Sequence, residues 1–146
     1  MNTYRQHNDL NETDAAYIAG LIDGEGTITL IRKHKNENRQ LSVSISSTEK
    51  ILLDYVKSVT GVGKITNKRT SKPHHAPSFT YAVYNRQALA LLQQILPYLK
   101  SYKYKRAELI LKEYLRLTPR NGKYTTELLA EKNAFEKEVL TIKANS

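Results

Sequence analysis

The chain has no cysteine among its 146 residues. That absence excludes a disulfide framework, a thiol nucleophile and a cysteine zinc site. No stretch approaches the roughly 18–20 apolar residues of a membrane span. The opening Met-Asn-Thr-Tyr-Arg-Gln-His-Asn-Asp lacks the apolar core of a secretory signal. It also differs from the Arg- and Ser-rich, acid-poor start of a transit peptide. The expectation is a protein that works in the compartment where it is made. Acidic residues are scarce, 14 against 23 Lys and Arg, for a formal net charge of +9, which makes a polyanion the leading class of partner. With 40% hydrophobic and 25% charged residues, wholesale disorder is excluded. The length suits one domain.

The positive charge is not evenly spread. Residues 1–31 carry one base, Arg5, and five acids, Asp9, Glu12, Asp14, Asp23 and Glu25. Residues 32–106 carry 15 bases and three acids, Glu37, Glu49 and Asp54. The remainder is nearly balanced, with seven bases and six acids. A middle span that holds the whole surplus reads as one binding surface rather than a generic solvated exterior.

Periodicity sets out the elements. Residues 1–12 are polar and read as a flexible terminus. Thr13 is a candidate N-cap for a helix from Asp14 to Ile22, closed by Gly24 and Gly26. Residues 27–33 read as a strand, followed by a polar loop from His34 to Arg39. In Gln40-Leu41-Ser42-Val43-Ser44-Ile45-Ser46 the alternation is unbroken, which predicts a strand with one apolar and one small-polar face. Glu49–Val59 predicts an amphipathic helix stopped by Gly61. Strands follow near Lys64–Lys68 and Ser78–Tyr84, joined by a loop with Pro73, His74, His75 and Pro77. The two histidines fit a polar loop better than a metal pair. Helices are expected over Arg86–Leu96, Lys103–Leu117 and Thr126–Ile142. A helix–hairpin unit thus occurs twice, as architecture without sequence identity. Helices segregated over one antiparallel sheet make an α+β fold. The whole reads as a single domain, with residues 13–117 as core and 118–146 as a C-terminal helical extension.

The segment Tyr17-Ile18-Ala19-Gly20-Leu21-Ile22-Asp23-Gly24-Glu25-Gly26 carries the chemistry. Ala15, Ala16, Ala19 and Gly20 give the helix a small face that lets another backbone approach closely. Asp23 and Glu25 stand at the helix C-terminus, where the dipole disfavours each carboxylate by about 0.3–1 kcal/mol. A cation beside them would relieve that cost. A plain helix-to-strand turn with two solvated acids is the competing reading of the same residues.

Residues 18–26 resemble, in register, the signature of the LAGLIDADG homing endonucleases. Ile18 replaces the first Leu, and Glu25 stands where the family more often has Asp. Gly61-Val62-Gly63, and Leu96-Pro97-Tyr98-Leu99-Lys100 followed by Lys103, Lys105 and Arg106, are similar to later family segments. The αββαββα order matches over residues 13–117. The resemblance implies a curved antiparallel sheet with helices on one face and the motif helix as a dimer axis. Ala16, Ala19, Gly20 and Asp23 would form that interface. A single motif implies the homodimeric branch, in which two copies bring two Glu25 side chains together.

The resemblance further implies site-specific cleavage of both strands of DNA at a long pseudo-palindromic target, promoting intron mobility. Mg²⁺ would be held by the Glu25 carboxylate and the Gly24 carbonyl. Oxygen ligation of Mg²⁺ also agrees with a composition that has no Cys and no paired-His motif. Lys103 matches the family's transition-state cation. Lys105 and Arg106 are exchangeable with it, since the spacing is one residue longer than in relatives. Glu49 stands where relatives place a polar residue that orders solvent near the metal. It reads equally as an acid in a helix's first turn.

On the strands, Thr29, Ile31, Lys33, Gln40, Ser42, Ser44 and Ser46 are expected to face DNA. Thr66, Lys68, Thr80 and Ala82 would do so from the second hairpin, because a two-stranded ribbon fits the major groove. Gln40 and Lys33 are the candidates for base edges. Arg32, Lys35, Arg39, Arg69 and Lys72 are the candidates for phosphates. Three other readings stay open: an RNA-binding maturase on the same fold, a non-cleaving DNA-binding regulator, and an unrelated small basic module such as a ribosomal protein. The start of the chain fits a gene encoded in an organelle (chloroplast or mitochondrion) or a prokaryote.

Overall fold

The structure is a computed structural model that describes residues 5–68 and 77–144, the side chain of Lys68 excepted. Helix α1 (Glu12–Glu25) leads into strand β1 (Gly26–Ile31), then β2 (Gln40–Ser47), α2 (Lys50–Thr60), β3 (Lys64–Lys68), β4 (Ser78–Tyr84) and α3 (Asn85–Ile95). A single 3-10 turn over Leu96–Tyr98 precedes α4 (Lys103–Glu113) and α5 (Thr126–Thr141). The four strands form one antiparallel sheet in the order β1-β2-β4-β3. The expected repeat of helix and hairpin is present.

The alternation of β2 sorts its side chains as expected. Leu41, Val43 and Ile45 are buried, together with Ile28, Leu30, Tyr81 and Val83 of the neighbouring strands. Ile18 and Ile22 of α1, Leu53 and Val56 of α2, Leu91 and Leu92 of α3, and Ile110 of α4 complete this apolar layer. The other sheet face is left to small and polar residues.

Helix α1 begins earlier and ends later than its periodicity predicts. Its N-cap is Asn11, not Thr13: the Asn11 carboxamide oxygen accepts from Asp14 N–H at 2.7 Å. Asparagine is the stronger cap, and from Asn11 both Glu12 and Asp14 fall in the favourable first turn. At the other end Gly24 stays inside the helix, and the chain passes directly into β1 at Gly26. A Cβ at Gly26 would lie 2.7 Å from Ile22 Cα and 3.0 Å from Ser44 O, so glycine is required by close approach to α1 and β2. Gly61 closes α2 with φ 73°, as expected of a C-terminal glycine. Strand β1 ends at Ile31, so Arg32 and Lys33 lie in the loop rather than in a strand.

Both ends of the described chain are integrated. Residues 5–11 are held across α2 and α3, against the expectation of a flexible terminus. Asn8 N–H donates to Thr60 O at 2.8 Å, and Leu10 N–H to Gln94 Oε1 at 2.6 Å. Gln87 donates to Arg5 O at 2.7 Å. Helix α5, capped by the Thr125 hydroxyl, buries Phe135 and Val139 in the same core as the sheet. Glu136 of α5 accepts from Asn38 Nδ2 at 2.9 Å and from Arg39 N–H at 3.1 Å. The C-terminal extension is therefore a fifth helical member of the fold.

Candidate functional site

The C-terminal end of α1 carries two carboxylates with opposite surroundings. Asp23 accepts from Lys100 N–H at 2.8 Å, Ser101 N–H at 3.1 Å and the Ser101 hydroxyl at 2.5 Å. Burial acts to raise its pKa, but these hydrogen bonds and the charge of Lys103 outweigh it and hold the carboxyl below its usual range. Asp23 thus fixes the turn before α4. That is a correction to its expected place in a subunit interface. Glu25, the last residue of α1, is exposed, as is Gly24 beside it.

Lys103 stands over the same helix end. It is buried, and its ammonium donates to Ile22 O at 2.7 Å and to Asp23 O at 3.0 Å. These are carbonyls of the last turn, where the negative end of the dipole lies. The cation anticipated from the two acids is supplied within the chain. Desolvation lowers the Lys103 pKa, reinforced by Arg106 and opposed by Asp23 and Glu25. An ammonium has three donors, so one remains. Gly24 O, the next carbonyl of the turn, has no side-chain donor among the described residues.

Arg106 is engaged elsewhere. It is buried, with Nε donating to Ile142 O at 2.7 Å and Nη1 to Ile28 O at 2.9 Å. It joins α4 to β1 and to the end of α5, so its expected exchange with Lys103 at the reaction centre, or contact with DNA, is corrected. Lys105 is exposed. With Lys100, Lys143, Tyr102 and Tyr104 it lines a cleft of about 840 Å³ beside the Asp23 turn.

Gly26 pairs with Ile45, so Glu25 and the Thr48–Glu49 turn after β2 lie at the same end of the sheet. Glu49 occupies the N-cap of α2, is exposed, and makes no side-chain capping bond. Among the described residues no three His, Cys, Asp or Glu side chains are grouped closely enough to hold a metal. The oxygen donors that one chain offers at this end are the Glu25 carboxylate and the Gly24 carbonyl. They fit a hard cation that takes its other ligands from water, phosphate or a second copy.

The small face of α1 is displaced from its expected residues. Ala15 and Ala19 are buried against the chain's own core, which corrects Ala19 as an interface residue. Ala16, Gly20 and Gly24 are exposed at four-residue spacing, and a Cβ at Gly20 or Gly24 would meet nothing within 4 Å. Beside this bare stripe lie Tyr17, Tyr55 and Ile51, respectively 41%, 43% and 71% exposed. The two tyrosine rings meet edge to face at 5.8 Å. Tyr55 donates to the Asp14 carboxylate.

The outward sheet face is continuous across all four strands. Register aligns Thr29 with Ser42 and Tyr84, then Thr27 with Ser44, Ala82 and Lys64, then Ser46 with Thr80 and Thr66. Ile31 and Gln40 pair at one end, Lys68 and Ser78 at the other. Thr29, Ile31, Gln40, Ser42, Ser44, Ser46, Thr66, Thr80 and Ala82 are on this face as expected, whereas Lys33 lies in the loop and the Lys68 side chain is outside the described residues. Ser42 is covered by its larger neighbours and is only 6% exposed. Tyr84, Thr27 and Lys64 were not anticipated. Their alternation with Ala82, Thr29 and Thr66 is the signal that places them. Arg32, Lys33 and Lys35 are exposed in the β1–β2 loop. Arg39 is turned back toward α5, with Nη1 on Leu30 O at 3.3 Å and Nε 3.9 Å from Glu136, which removes it from the free phosphate contacts. Arg69, Lys72, His74 and His75 lie outside the described residues.

The chain is similar to the homing endonuclease I-CvuI, solved in complex with its target, at 20% identity and TM-score 0.74, over 92% of this chain and 85% of that one. Similarity to the archaeal intron-encoded homing endonuclease I-Vdi141I, solved with DNA, has 14% identity and TM-score 0.60, over 92% and 87%. The meganuclease I-AabMI, bound to uncleaved DNA, matches at 20% identity and TM-score 0.64, over 94% of this chain but 46% of the larger relative. No curated protein matches the sequence. The family profile described as LAGLIDADG endonuclease matches residues 18–125, which run from the middle of α1 to the N-cap of α5. By that match the chain belongs to the LAGLIDADG endonuclease family.

Proposed function

We propose that the protein is a site-specific double-strand DNA endonuclease that works as a homodimer with Mg²⁺ and promotes intron mobility. The observation that carries this reading is the outer face of α1: a bare stripe of Ala16, Gly20 and Gly24 that ends at the exposed Glu25. A second copy packed on that stripe brings two Glu25 carboxylates to one place. The larger relative is covered over 46% of its length, which leaves room in that single chain for a second unit of this size.

Glu25 and Gly24 O would hold the cation, which supplies Lewis-acid stabilisation and a water of lowered pKa when bound. Lys103, anchored on α1, sets a positive charge beside Glu25 where a phosphodiester gathers negative charge on its way to cleavage. The outward strand face meets the major groove, and Arg32, Lys33, Lys35 and Lys105 neutralise phosphates.

The test is cleavage of the intronless host allele with and without Mg²⁺. Glu25→Gln is expected to bind this duplex and to cut it at least a hundredfold more slowly. Cleavage by the variant at the wild-type rate would overturn the assignment. Sedimentation as a monomer at micromolar concentration, with DNA absent, would count against the dimer. Tight binding of the intron RNA without DNA cleavage would replace this reading with that of a maturase.

A further inference from the structure

A chain of four hydrogen bonding groups runs from the protein interior to the outward sheet face. Leu41 N–H donates to the Tyr114 hydroxyl at 3.1 Å. Tyr114, 1% exposed, donates to Asn85 Oδ1 at 2.9 Å. Asn85 Nδ2 donates to Gln40 Oε1 at 2.8 Å. Gln40 opens β2 on the same face as Ser42, Ser44 and Ser46, and no described residue accepts from its Nε2.

The direction of every bond follows from the first. A backbone N–H can only donate, so the Tyr114 oxygen accepts there and directs its single proton to Asn85. That proton needs an acceptor, which fixes the Asn85 oxygen toward Tyr114 and its NH₂ toward Gln40. The NH₂ meets the Gln40 oxygen, which accepts one of its protons and so points inward. Burial raises the Tyr114 pKa, opposed by Leu41 N–H, Thr118 and Arg86, so the hydroxyl keeps its proton. Asn85 has φ 55°, a left-handed conformation that Asn tolerates better than most side chains. This conformation, at the junction of β4 and α3, sets its carboxamide between Tyr114 and Gln40.

We propose that Asn85 and Tyr114 are positioning residues that fix the Gln40 amide with its NH₂ outward, so that Gln40 reads a hydrogen-bond acceptor on one base of each half-site. The inference rests on the DNA-binding reading above. A free glutamine can rotate its amide and accept either a donor or an acceptor edge. A glutamine locked in this sense favours the keto oxygens of guanine and thymine, meets adenine only at N7, and opposes the amino group of cytosine.

The experiment is selection from a randomised duplex library with the full chain, wild type beside Asn85→Asp and Tyr114→Phe. Aspartate also tolerates the left-handed backbone, but both of its oxygens accept. One takes the Tyr114 proton and the other draws in the Gln40 NH₂, which turns the amide over. At one position per half-site the selected base is expected to move from keto to amino, a change in preference of about tenfold. Tyr114→Phe is expected to broaden the same position and leave the others alone. An Asn85→Asp selection identical to wild type would overturn the proposal while leaving DNA binding intact. A wild-type chain that enriches no duplex would overturn both readings. Amide exchange in the wild-type protein tests the bond order without a variant. One of the two Asn85 NH₂ protons is expected to be protected and both of Gln40 free; the reverse would overturn the proposal.

Discussion

Two regions of this molecule bury a lysine against a polar cluster, and they use it in opposite ways. At the end of α1, Lys103 lies on two carbonyls, beside the tethered Asp23 and the exposed Glu25. Under α5, Lys132 is fully buried, with its ammonium 4.5 Å from the Tyr114 ring centre and 2.7 Å from the Thr118 hydroxyl. Its neighbour Glu136 is committed too, to Asn38 and Arg39. The α5 seam turns its polar groups inward and satisfies them against one another. The α1 end stops with a carboxylate, a carbonyl and two glycines facing outward. Burial of a charge therefore says little about chemistry in this fold. What separates the regions is whether the cluster reaches a surface that a substrate and a second copy can share.

The sharpest way to break that comparison is to remove each ammonium in turn. Lys103→Met is expected to lower cleavage of the target about a hundredfold or more, through loss of a positioned cation at the reacting phosphate. Lys132→Met, of similar length and uncharged, is expected to leave the cleavage rate unchanged, because Lys132 is fully buried in the α5 seam and reaches no surface that a substrate could share. Single-turnover rates on bound duplex separate these outcomes from DNA affinity. Equal losses in the two variants would abolish the distinction.

A smaller effect appears in stability against pH. Desolvation lowers the Lys132 pKa to about 8, against some opposition from Glu136. In the unfolded chain a lysine titrates near 10.4. Below pH 8 both states hold the proton, and the native state bears the cost of burying it. Between about 8 and 10.4 the unfolded state binds more protons than the native one, so stability rises with pH. The difference between wild type and Lys132→Met is expected to change by about 3 kcal/mol across that window. Chemical denaturation at a series of pH values measures it, and a flat difference would mean that Lys132 titrates normally.

The α1 site was legible in the sequence where local rules decide. The register of residues 18–26 pointed to the helix end, and the alternation of Leu41, Val43 and Ile45 separated core from outward face. What escaped were partners far apart in the chain. Arg106 and Arg39 look like free cations until folding brings Ile142, Ile28 and Glu136 to them. Ala16 and Ala19 look equivalent on a helical wheel, but the sheet and the packed helices decide which one the core takes. Asn11 and Thr13 are both capping residues, and the choice between them depends on how far the first turn extends. The link from Asn85 to Gln40 spans 45 residues and requires a positive φ that composition does not announce.

The smallest expected effect tests the bare face itself. Gly20 lies inside α1, and an added Cβ meets nothing within 4 Å in the single chain. Replacing an exposed helical glycine with alanine favours folding by about 0.5–1 kcal/mol. If α1 faces solvent in the working protein, Gly20→Ala should show that gain at every concentration. If two α1 helices pack there, the added methyl groups hold the backbones apart. The gain should then survive at high dilution and turn into weaker self-association as concentration rises. Thermal midpoints measured over a thousandfold range of protein concentration decide between the two, since only an associating species makes the midpoint depend on concentration. A gain that stays constant across that range would place the stripe in solvent and remove the feature that sets the α1 end apart from the closed α5 seam.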